Sequence, residues 1–480
     1  MAEETIGVSR ESAAARPARP AFLSAVEMSA AFAAGALTPV EVAEDVVARI
    51  AEREPVLNAF YRFDAASVRE QAAASARRWA AGEPRSALDG VPASVKENIA
   101  RKGHPMPAGN ALPNPPVATE NAPIVDRMEE AGLVLLGSTT MPDYGMLSSG
   151  VSSLHGITRN AWDPSLTAGG SSAGAGAAAA AGYGPLHVGT DIGGSIRLPA
   201  AWAGLVGLKP SAGLVPLHEP YPGRAAGPLT RTAMDSCLFM GVLGQPDSRD
   251  YTTRPYPDME WCGRNFEPRR ARIALQLEAG SGIDPDPEVL AAVRLAAQAF
   301  AEAGAEIIEL GPFMAPEQLK GVDDFWRTKF YAQYSLLEED KKALVLPYIA
   351  RWCALGAHFD GPATVGNYHR MAQIQQATVA ATRGFDLMLS PVAPMAAFPA
   401  EQPMPLDDPD LPMGHISFTL PYNMSGQPAA SINCGFTADG RTIGLQIAGQ
   451  VARDDYVMAA TRWYEQVRPA PAAPDWTRLP

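Results

Sequence analysis

Two serines and a lysine have the residue types and surroundings needed to activate a hydroxyl for attack on a carbonyl carbon. Ser195 follows a Gly-Gly pair in the segment TDIGGSIR (190–197), where backbone amides can turn towards the group that the hydroxyl attacks. Ser171 follows a second Gly-Gly pair, and Lys96 lies in the mostly apolar run 91–99. A serine becomes a good nucleophile only when a base takes its proton. Lysine can be that base when it is neutral, and burial favours the neutral form.

Each of these residues also has an ordinary structural interpretation. Lys96 could end a strand and pair with Glu97 or another carboxylate. Ser171 could cap the helix that follows it, because a serine at this position satisfies free backbone amides. Ser195 could be a plain loop serine. From the residues alone, a Ser-Ser-Lys arrangement that dispenses with histidine is therefore one alternative among several.

Two other glycine motifs would indicate different chemistry. The segment GSSAG (170–174) fits the G-x-S-x-G nucleophile elbow with Ser172 at its centre, but an elbow needs a preceding strand and 160–167 is loop-like. The sequence GAG (174–176) opens a helix, as a dinucleotide-binding fingerprint does. That fingerprint needs an upstream strand and a third glycine, and the third position here is Ala179.

The periodicity of apolar residues predicts the elements that must position these groups. A helix is predicted to begin at Thr38, where an N-cap residue, a proline and a glutamate form a capping-box pattern. Such patterns also predict helices over 65–81 and 124–131, a strand over 133–136, an Ala- and Gly-rich helix over 172–182, and a strand over 186–190. This alternation predicts an α/β domain around a buried sheet. The Ala- and Gly-rich helix has no large side chain, so it can pack closely on every side at the domain centre. His187 lies inside the last strand and is expected to be a core residue.

Composition limits the classes of partner. The chain has 480 residues, of which 47% are hydrophobic and 19% charged, as in ordinary globular proteins. A net charge of −13 argues against nucleic acid as the main partner. The chain has no uninterrupted 18-residue apolar run, so no membrane span is predicted. Its four cysteines form no C-x-x-C pair, which disfavours zinc and a dense disulfide framework. We expect a cytoplasmic protein without metal or cofactor.

The domain organisation is predicted to be simple. Residues 1–22 lack the apolar core of a secretory signal and are expected to form a disordered tail. Residues 23–480 are expected to form a single domain, because neither charged linkers nor internal repeats interrupt them. Within it, a catalytic core of about 88–240 would be followed by a variable region of about 245–380 that covers the substrate pocket.

With these motifs in their local contexts, the chain resembles the amidase signature family of serine hydrolases over nearly its whole length. The segments that carry the resemblance are GVP (90–92), the core 160–211 with GLVGLKP (204–210), GPLTRT (227–232), FDLMLSP (385–391), PYNMSGQP (421–428) and GLQIAG (444–449). Many members read GGSSGG where this chain has Ala173 after the two serines. The resemblance implies a central mixed, twisted β-sheet covered by helices on both faces, with a helical N-terminal region.

The resemblance also implies roles for individual residues. Ser195 corresponds to a nucleophile that forms an acyl-enzyme, Ser171 to a bridging serine after a cis peptide bond at Gly170, and Lys96 to the base. The residues implied in forming an oxyanion hole with the amide of Ser195 are Ile192, Gly193 and Gly194. Substrate contacts are expected at Gly145, Met146 and Gly170, and a structural ion pair is expected between Asp191 and Arg197.

The function implied is hydrolysis of C–N bonds in small-molecule amides or carbamates. Four aromatic residues of the variable region favour aryl substrates if they line the pocket: Trp326, Phe330, Tyr331 and Tyr334. Two alternatives remain, a glutaminase-like subunit of a tRNA-dependent amidotransferase and a partner-dependent member that binds acyl-like ligands. A homodimer is possible in either case.

Overall fold

One long mixed sheet organises the computed structural model, which describes residues 19–255 and 258–479. The strands are β1 (Phe60–Phe63), β2 (Pro92–Lys96), β3 (Val134–Thr139), β4 (Val151–Ser152), β5 (Gly156–Ile157), β6 (Leu186–Asp191), β7 (Val206–Lys209), β8 (Ala225–Thr230), β9 (Arg272–Leu275), β10 (Glu306–Glu309), β11 (Leu387–Pro391), β12 (Ala429–Phe436) and β13 (Thr442–Gly449). Eleven of them form the main sheet in the order β1-β3-β2-β6-β8-β7-β12-β13-β11-β9-β10, and β4 pairs with β5.

Helices flank this sheet. They are α1 (Ala25–Ala33), α2 (Pro39–Leu57), α3 (Ala65–Ala81), α4 (Pro123–Glu130), α5 (Ala173–Ala181), α6 (Arg197–Ala203), α7 (Ala233–Leu243), α8 (Pro287–Glu302), α9 (Pro316–Tyr334), α10 (Glu339–Lys342), α11 (Pro347–Ala354), α12 (Gly361–Thr382), α13 (Leu420–Met424) and α14 (Asp454–Val467). Short 3-10 helices lie at Pro20–Phe22, Asp143–Gly145, Pro268–Arg270, Leu355–His358, Gly414–Ile416, Ala470–Ala472 and Trp476–Arg478. The predicted α/β fold with a central mixed sheet is confirmed.

The local sequence signals explain where several elements begin. The predicted capping box is present at α2, where the Thr38 hydroxyl accepts from the Glu41 amide at 3.2 Å and Glu41 Oε2 accepts from the Thr38 amide at 2.8 Å. The helix predicted over 65–81 has the same limits in the structure. The N-terminal quarter also contains β1, a strand that its helical pattern did not predict.

The arrangement of β2, β3 and β6 decides where catalytic residues can meet. These three neighbouring strands run parallel, with Lys96 at the end of β2 and Asp191 at the end of β6. The carboxyl ends of parallel strands lie at one edge of a sheet, which is the usual place for ligand sites in α/β folds. The two residues therefore approach the same edge.

Helix α5 runs through the centre of the domain, as its composition predicted. All of its residues are buried. A Cβ atom at Gly174 would lie 2.1 Å from the Ala59 carbonyl oxygen and 2.5 Å from the Thr140 amide nitrogen. This packing leaves no room for a pyrophosphate at the start of the helix, so the dinucleotide interpretation is wrong.

Two predicted boundaries differ from the structure. Residues 1–18 of the predicted tail lie outside the described residues, but its last part is folded: Ala21 is buried, and its amide donates to Asp45 Oδ2 at 2.7 Å. The predicted variable region has two parts. Strands β9 and β10 extend the main sheet, and only the later helices, including α9, α11 and α12, cover the catalytic side.

A search of the described residues finds no helix long and apolar enough to cross a membrane. The same part of the chain contains no cluster of three or more His, Cys, Asp or Glu side chains placed to hold a metal ion.

We expect Gly174→Ala to destabilise the fold. The added methyl would overlap the backbone of Ala59, which cannot move without disturbing the sheet, so the free energy of unfolding should fall by about 1–3 kcal/mol. The matched control is Gly241→Ala in α7, where a Cβ would meet nothing within 4 Å. The control should gain up to about 1 kcal/mol of helix propensity. Denaturant unfolding of both variants would measure this, and equal stabilities would contradict the close packing of α5.

Candidate active site

Lys96 is enclosed by hydroxyl groups. Its side chain is fully buried, and its Nζ lies 2.8 Å from Ser171 Oγ, 3.2 Å from Ser172 Oγ and 3.2 Å from Thr190 Oγ1. Glu97, the carboxylate that could have paired with Lys96, instead contacts His155 Nε2 at 2.9 Å. No carboxylate in the described part of the chain forms an ion pair with this lysine.

The two serines before α5 have different environments. The peptide bond between Gly170 and Ser171 is cis. Ser172 Oγ donates to the Thr190 carbonyl and accepts from the Thr190 amide, both at 3.2 Å, and the residue is fully buried. Ser172 is therefore a structural residue, and the nucleophile-elbow interpretation is wrong. The N-cap residue of α5 is Ser172 and not the predicted Ser171. The Ser172 side chain makes no capping hydrogen bond.

A buried ion pair shapes the loop that carries Ser195. Arg197 Nη2 contacts Asp191 Oδ1 at 2.8 Å, and both side chains are shielded from solvent. Asp191 also accepts from the amides of Gly194 at 2.9 Å and Ile196 at 3.1 Å. Burial alone would raise the pKa of Asp191, but the Arg197 charge outweighs this and holds the pKa well below its usual range. These contacts confirm the expected structural ion pair between Asp191 and Arg197.

The loop presents Ser195 and several backbone amides. Ser195 is partly exposed, and its carbonyl accepts from the Ser172 amide at 3.2 Å, which ties the loop to the start of α5. The structure differs from the expected oxyanion hole at Gly194, whose amide already donates to Asp191. The amides of Ile192, Gly193 and Ser195 have no acceptor among the described residues. The hydroxyls of Ser195 and Ser171 are not hydrogen-bonded to each other within these residues.

A cavity of about 500 Å³ opens in front of Ser195. Its walls include Gly145 and Met146, as expected, and a Cβ at Gly145 would lie 3.3 Å from Ser171 Oγ. Gly170 does not line the cavity. Its Cα is packed against the carbonyls of Leu147 and Ser149, where a Cβ would come within 2.6 Å of either oxygen. Its role is therefore structural.

The walls of this cavity are largely apolar. Among the predicted aromatic residues, Trp326 and Phe330 of α9 line it, whereas Tyr331 and Tyr334 do not. Further lining residues that sequence reasoning missed are Asn98, Met106, Met141, Tyr144, Tyr221, Arg224, Lys329, Met404, Met413 and Ile416. Asn98 stands two residues after Lys96, and Met141 and Tyr144 stand within four residues of the expected contact Gly145. The others come from segments without a recognisable pattern.

Burial controls the protonation of Lys96. Burial and, to a smaller extent, the nearby Arg224 charge lower the pKa of the Lys96 ammonium, while Asp191 and Glu97 act in the opposite direction, and the net result is a pKa of about 7. A substantial fraction of Lys96 is thus neutral near neutral pH. His187, in contrast, is a satisfied core residue, with Nδ1 2.7 Å from Ser94 Oγ and Nε2 3.1 Å from the Gly184 carbonyl.

Comparisons with known proteins identify the family of this chain. The family model described as Amidase matches residues 41–458. An acylamidase of Rhodococcus erythropolis is 35% identical over 459 residues, which cover 93% of this chain and 96% of that protein. A glutamyl-tRNA(Gln) amidotransferase subunit of Chloroflexus aggregans is 32% identical over 494 residues, covering 96% of this chain and 98% of that protein. The crystal structure of a bacterial aryl acylamidase superposes with a TM-score of 0.84 at 27% identity, covering 95% of this chain and 98% of that chain.

The family match spans most of the chain, and the relatives are aligned over nearly their full lengths. The structural match likewise covers nearly the whole of both chains. The chain belongs to the amidase signature family, whose members are hydrolases acting on carbon–nitrogen bonds.

Proposed function

We propose that this protein hydrolyses small acyl or aryl amides with Ser195 as nucleophile, Ser171 as proton relay and Lys96 as base. The observation that carries the proposal is the fully buried Lys96 amine, 2.8 Å from Ser171 Oγ, behind a cavity that Ser195 lines. A buried, unpaired lysine has no structural charge to neutralise, so a functional role explains its position better than an ion pair does.

The hydrogen-bond donors and acceptors around Lys96 support Ser171 as the proton relay. The Ser172 hydroxyl proton is committed to the Thr190 carbonyl, so Ser172 can only accept from Lys96. Thr190 Oγ1 already accepts from Asn98 Nδ2 at 3.1 Å and is a second acceptor for Lys96. A neutral amine has two donors and one lone pair. Its donors fit Ser172 and Thr190, and its lone pair then faces the Ser171 hydroxyl.

The reaction then follows from these contacts. Lys96 accepts the Ser171 proton while Ser171 accepts the Ser195 proton, and Ser195 Oγ attacks the substrate carbonyl carbon. The amides of Ile192, Gly193 and Ser195 stabilise the oxyanion, and one such donor is typically worth about 3 kcal/mol. The relay returns the proton to the departing amine, and water hydrolyses the acyl-enzyme. Substrate binding must bring the two serine hydroxyls into contact, and such bonds are often long in free enzymes.

Most of the cavity wall favours an apolar group on the substrate. Its methionine and aromatic side chains match acyl chains or aryl rings better than the polar side chain of glutamine. The acylamidase and aryl acylamidase among the similar proteins point to the same class. Aryl carbamates share the attacked carbonyl and remain candidates within it.

The amidotransferase subunits support a second candidate, a glutaminase-like subunit that works with partner subunits. They are about as long as this chain, and one is 32% identical over 494 residues. The methionine and aromatic side chains of the cavity have no counterpart in glutamine, so the two functions can be separated by substrate.

We expect an acyl anilide to be the best substrate in a pool with an aliphatic amide, an aryl carbamate and glutamine. The methionine and aromatic side chains of the cavity would bind its ring, and glutamine has no apolar group to match them. Turnover of each component would be followed by mass spectrometry, with Ser195→Ala as the blank. Turnover of glutamine alone would support the amidotransferase candidate, and turnover of the carbamate alone would narrow the class to urethanes.

We expect a phosphonofluoridate to add one mass equivalent to the wild-type protein and none to Ser195→Ala. The reagent reacts with a serine only where a base and an oxyanion hole activate it. Ser165→Ala, which removes an exposed serine outside the cavity, is the matched control and should label like the wild type. An unlabelled wild-type protein would contradict the proposed triad.

We expect activity to rise with pH through a midpoint near 7 and to level off above it. The reason is that only neutral Lys96 is a base, and its pKa is lowered to about 7. Lys96→Met should lose at least about a hundredfold in kcat. The second buried lysine, Lys209, also has a pKa lowered by burial but does not line the cavity, so Lys209→Met should keep the same midpoint. The pH dependence of kcat in both variants identifies the lysine whose ionisation controls activity.

A further inference from the structure

Two cationic side chains line the catalytic cavity in addition to its apolar walls. They are Arg224, which immediately precedes β8, and Lys329 of α9. Both are partly buried, and within the described residues neither makes a salt bridge or a side-chain hydrogen bond. Burying a cation without an anionic partner costs free energy.

The neighbouring groups do not neutralise this pair. Glu219 also lines the cavity, but it is exposed and forms no ion pair with Arg224 within 4 Å among the described residues. The other lining carboxylate, Asp191, is committed to Arg197. Lys329 Nζ lies 3.8 Å from the centre of the Tyr221 ring, a cation–π contact that leaves its N–H donors unused.

Loss of hydration disfavours the charged forms of Lys329 and Arg224. Burial lowers the pKa of Lys329, and the Arg224 charge lowers it further. Burial also lowers the pKa of Arg224, although Glu219 acts against this. Lys329 thus stands in the field of Arg224, and an anion bound between them would relieve this repulsion and offset the loss of hydration of both groups.

We infer that the substrate carries a carboxylate, which Arg224 and Lys329 bind at one end of the catalytic cavity while the apolar walls hold the rest. This inference rests on the proposed amide hydrolysis and names its substrate class. A guanidinium binds a carboxylate through two parallel hydrogen bonds, and an ammonium adds a point charge. Both groups serve positioning and specificity, and neither is needed to move a proton.

The location of Arg224 indicates which end of the cavity would bind the carboxylate. Arg224 also lines an adjoining cavity of about 320 Å³, together with Glu219, His218 and Glu120. The carboxylate would therefore lie near the residues that line both cavities, which are Asn98, Met106, Glu219 and Arg224.

The test uses two pairs of anilides that differ only in a carboxylate. Succinanilate and its isopropyl isostere place the difference on the acyl side, and para-acetamidobenzoate and para-isopropylacetanilide place it on the amine side. For at least one pair we expect the wild type to prefer the carboxylate by about tenfold or more in kcat/KM. Arg224→Gln and Lys329→Gln should each reduce that preference severalfold, and Arg224→Lys should retain part of it.

Rates are compared well above the Lys96 titration, because removing the Arg224 charge also affects the pKa of Lys96. The matched control is Lys320→Gln, which removes an exposed cation of α9 outside this cavity and should behave as the wild type. No preference in either pair, or a preference that survives in both glutamine variants, would overturn the inference. So would an equal loss for both members of a pair.

Binding separates this inference from the proposed function. Calorimetry with succinate and benzoate on Ser195→Ala needs no turnover. Binding that is lost in the Ser195→Ala/Arg224→Gln double variant supports the carboxylate site even if no anilide is hydrolysed. Absence of binding by both acids would count against the site even if neutral anilides are good substrates.

Discussion

The buried contact between Asp191 and Arg197 is the interaction on which the rest of the site depends. Arg197 also donates to the Thr419 carbonyl at 2.9 Å and to Gln446 Oε1 at 2.8 Å, so one guanidinium joins the Ser195 loop to β13 and to the segment before α13. Removing one member of such a pair leaves a buried charge uncompensated, which typically costs about 3–5 kcal/mol. The pair also occupies the Gly194 amide and so directs which neighbouring amides face the cavity.

The site also requires small residues in α5. The serines that contact Lys96 belong to the helical layer, and this layer must pack closely on the strand that carries the lysine. Helix α5 lies against β2, β3 and β6, and any larger side chain on its Gly174 face would meet Ala59 and Thr140. This close approach places the serines before α5 within hydrogen-bond distance of Lys96 at the end of β2. The sequence of α5, almost entirely alanine and glycine, thus positions the proposed Ser-Lys site as well as filling the core.

Local patterns allowed much of the fold and the centre of the site to be predicted from the sequence. Capping at Thr38, the limits of α3 and the centrality of α5 depend on residues close together in the chain, and so do the glycine-flanked serines. Most of the cavity lining could not be found this way, although Gly145, Met146, Trp326 and Phe330 were among the expected residues. Met404, Met413 and Arg224 come from segments far apart in the chain, and only tertiary packing brings them to Ser195. The Gly194 amide was assigned wrongly for a related reason: its acceptor is a side chain whose orientation depends on Arg197.

The charges around Lys96 impose a constraint on the substrate proposed here. Arg224 contributes to the low pKa of Lys96, so a carboxylate bound at Arg224 would partly cancel that contribution and raise the pKa of the base. The enzyme stays active near neutral pH only if another cause keeps the amine neutral. Burial is that cause, since it is the largest influence on Lys96 and does not depend on the ligand. A substrate that fills the cavity also excludes water and reinforces this effect. The sealed environment of Lys96 therefore allows one cavity to combine an anion-binding end with a neutral lysine base.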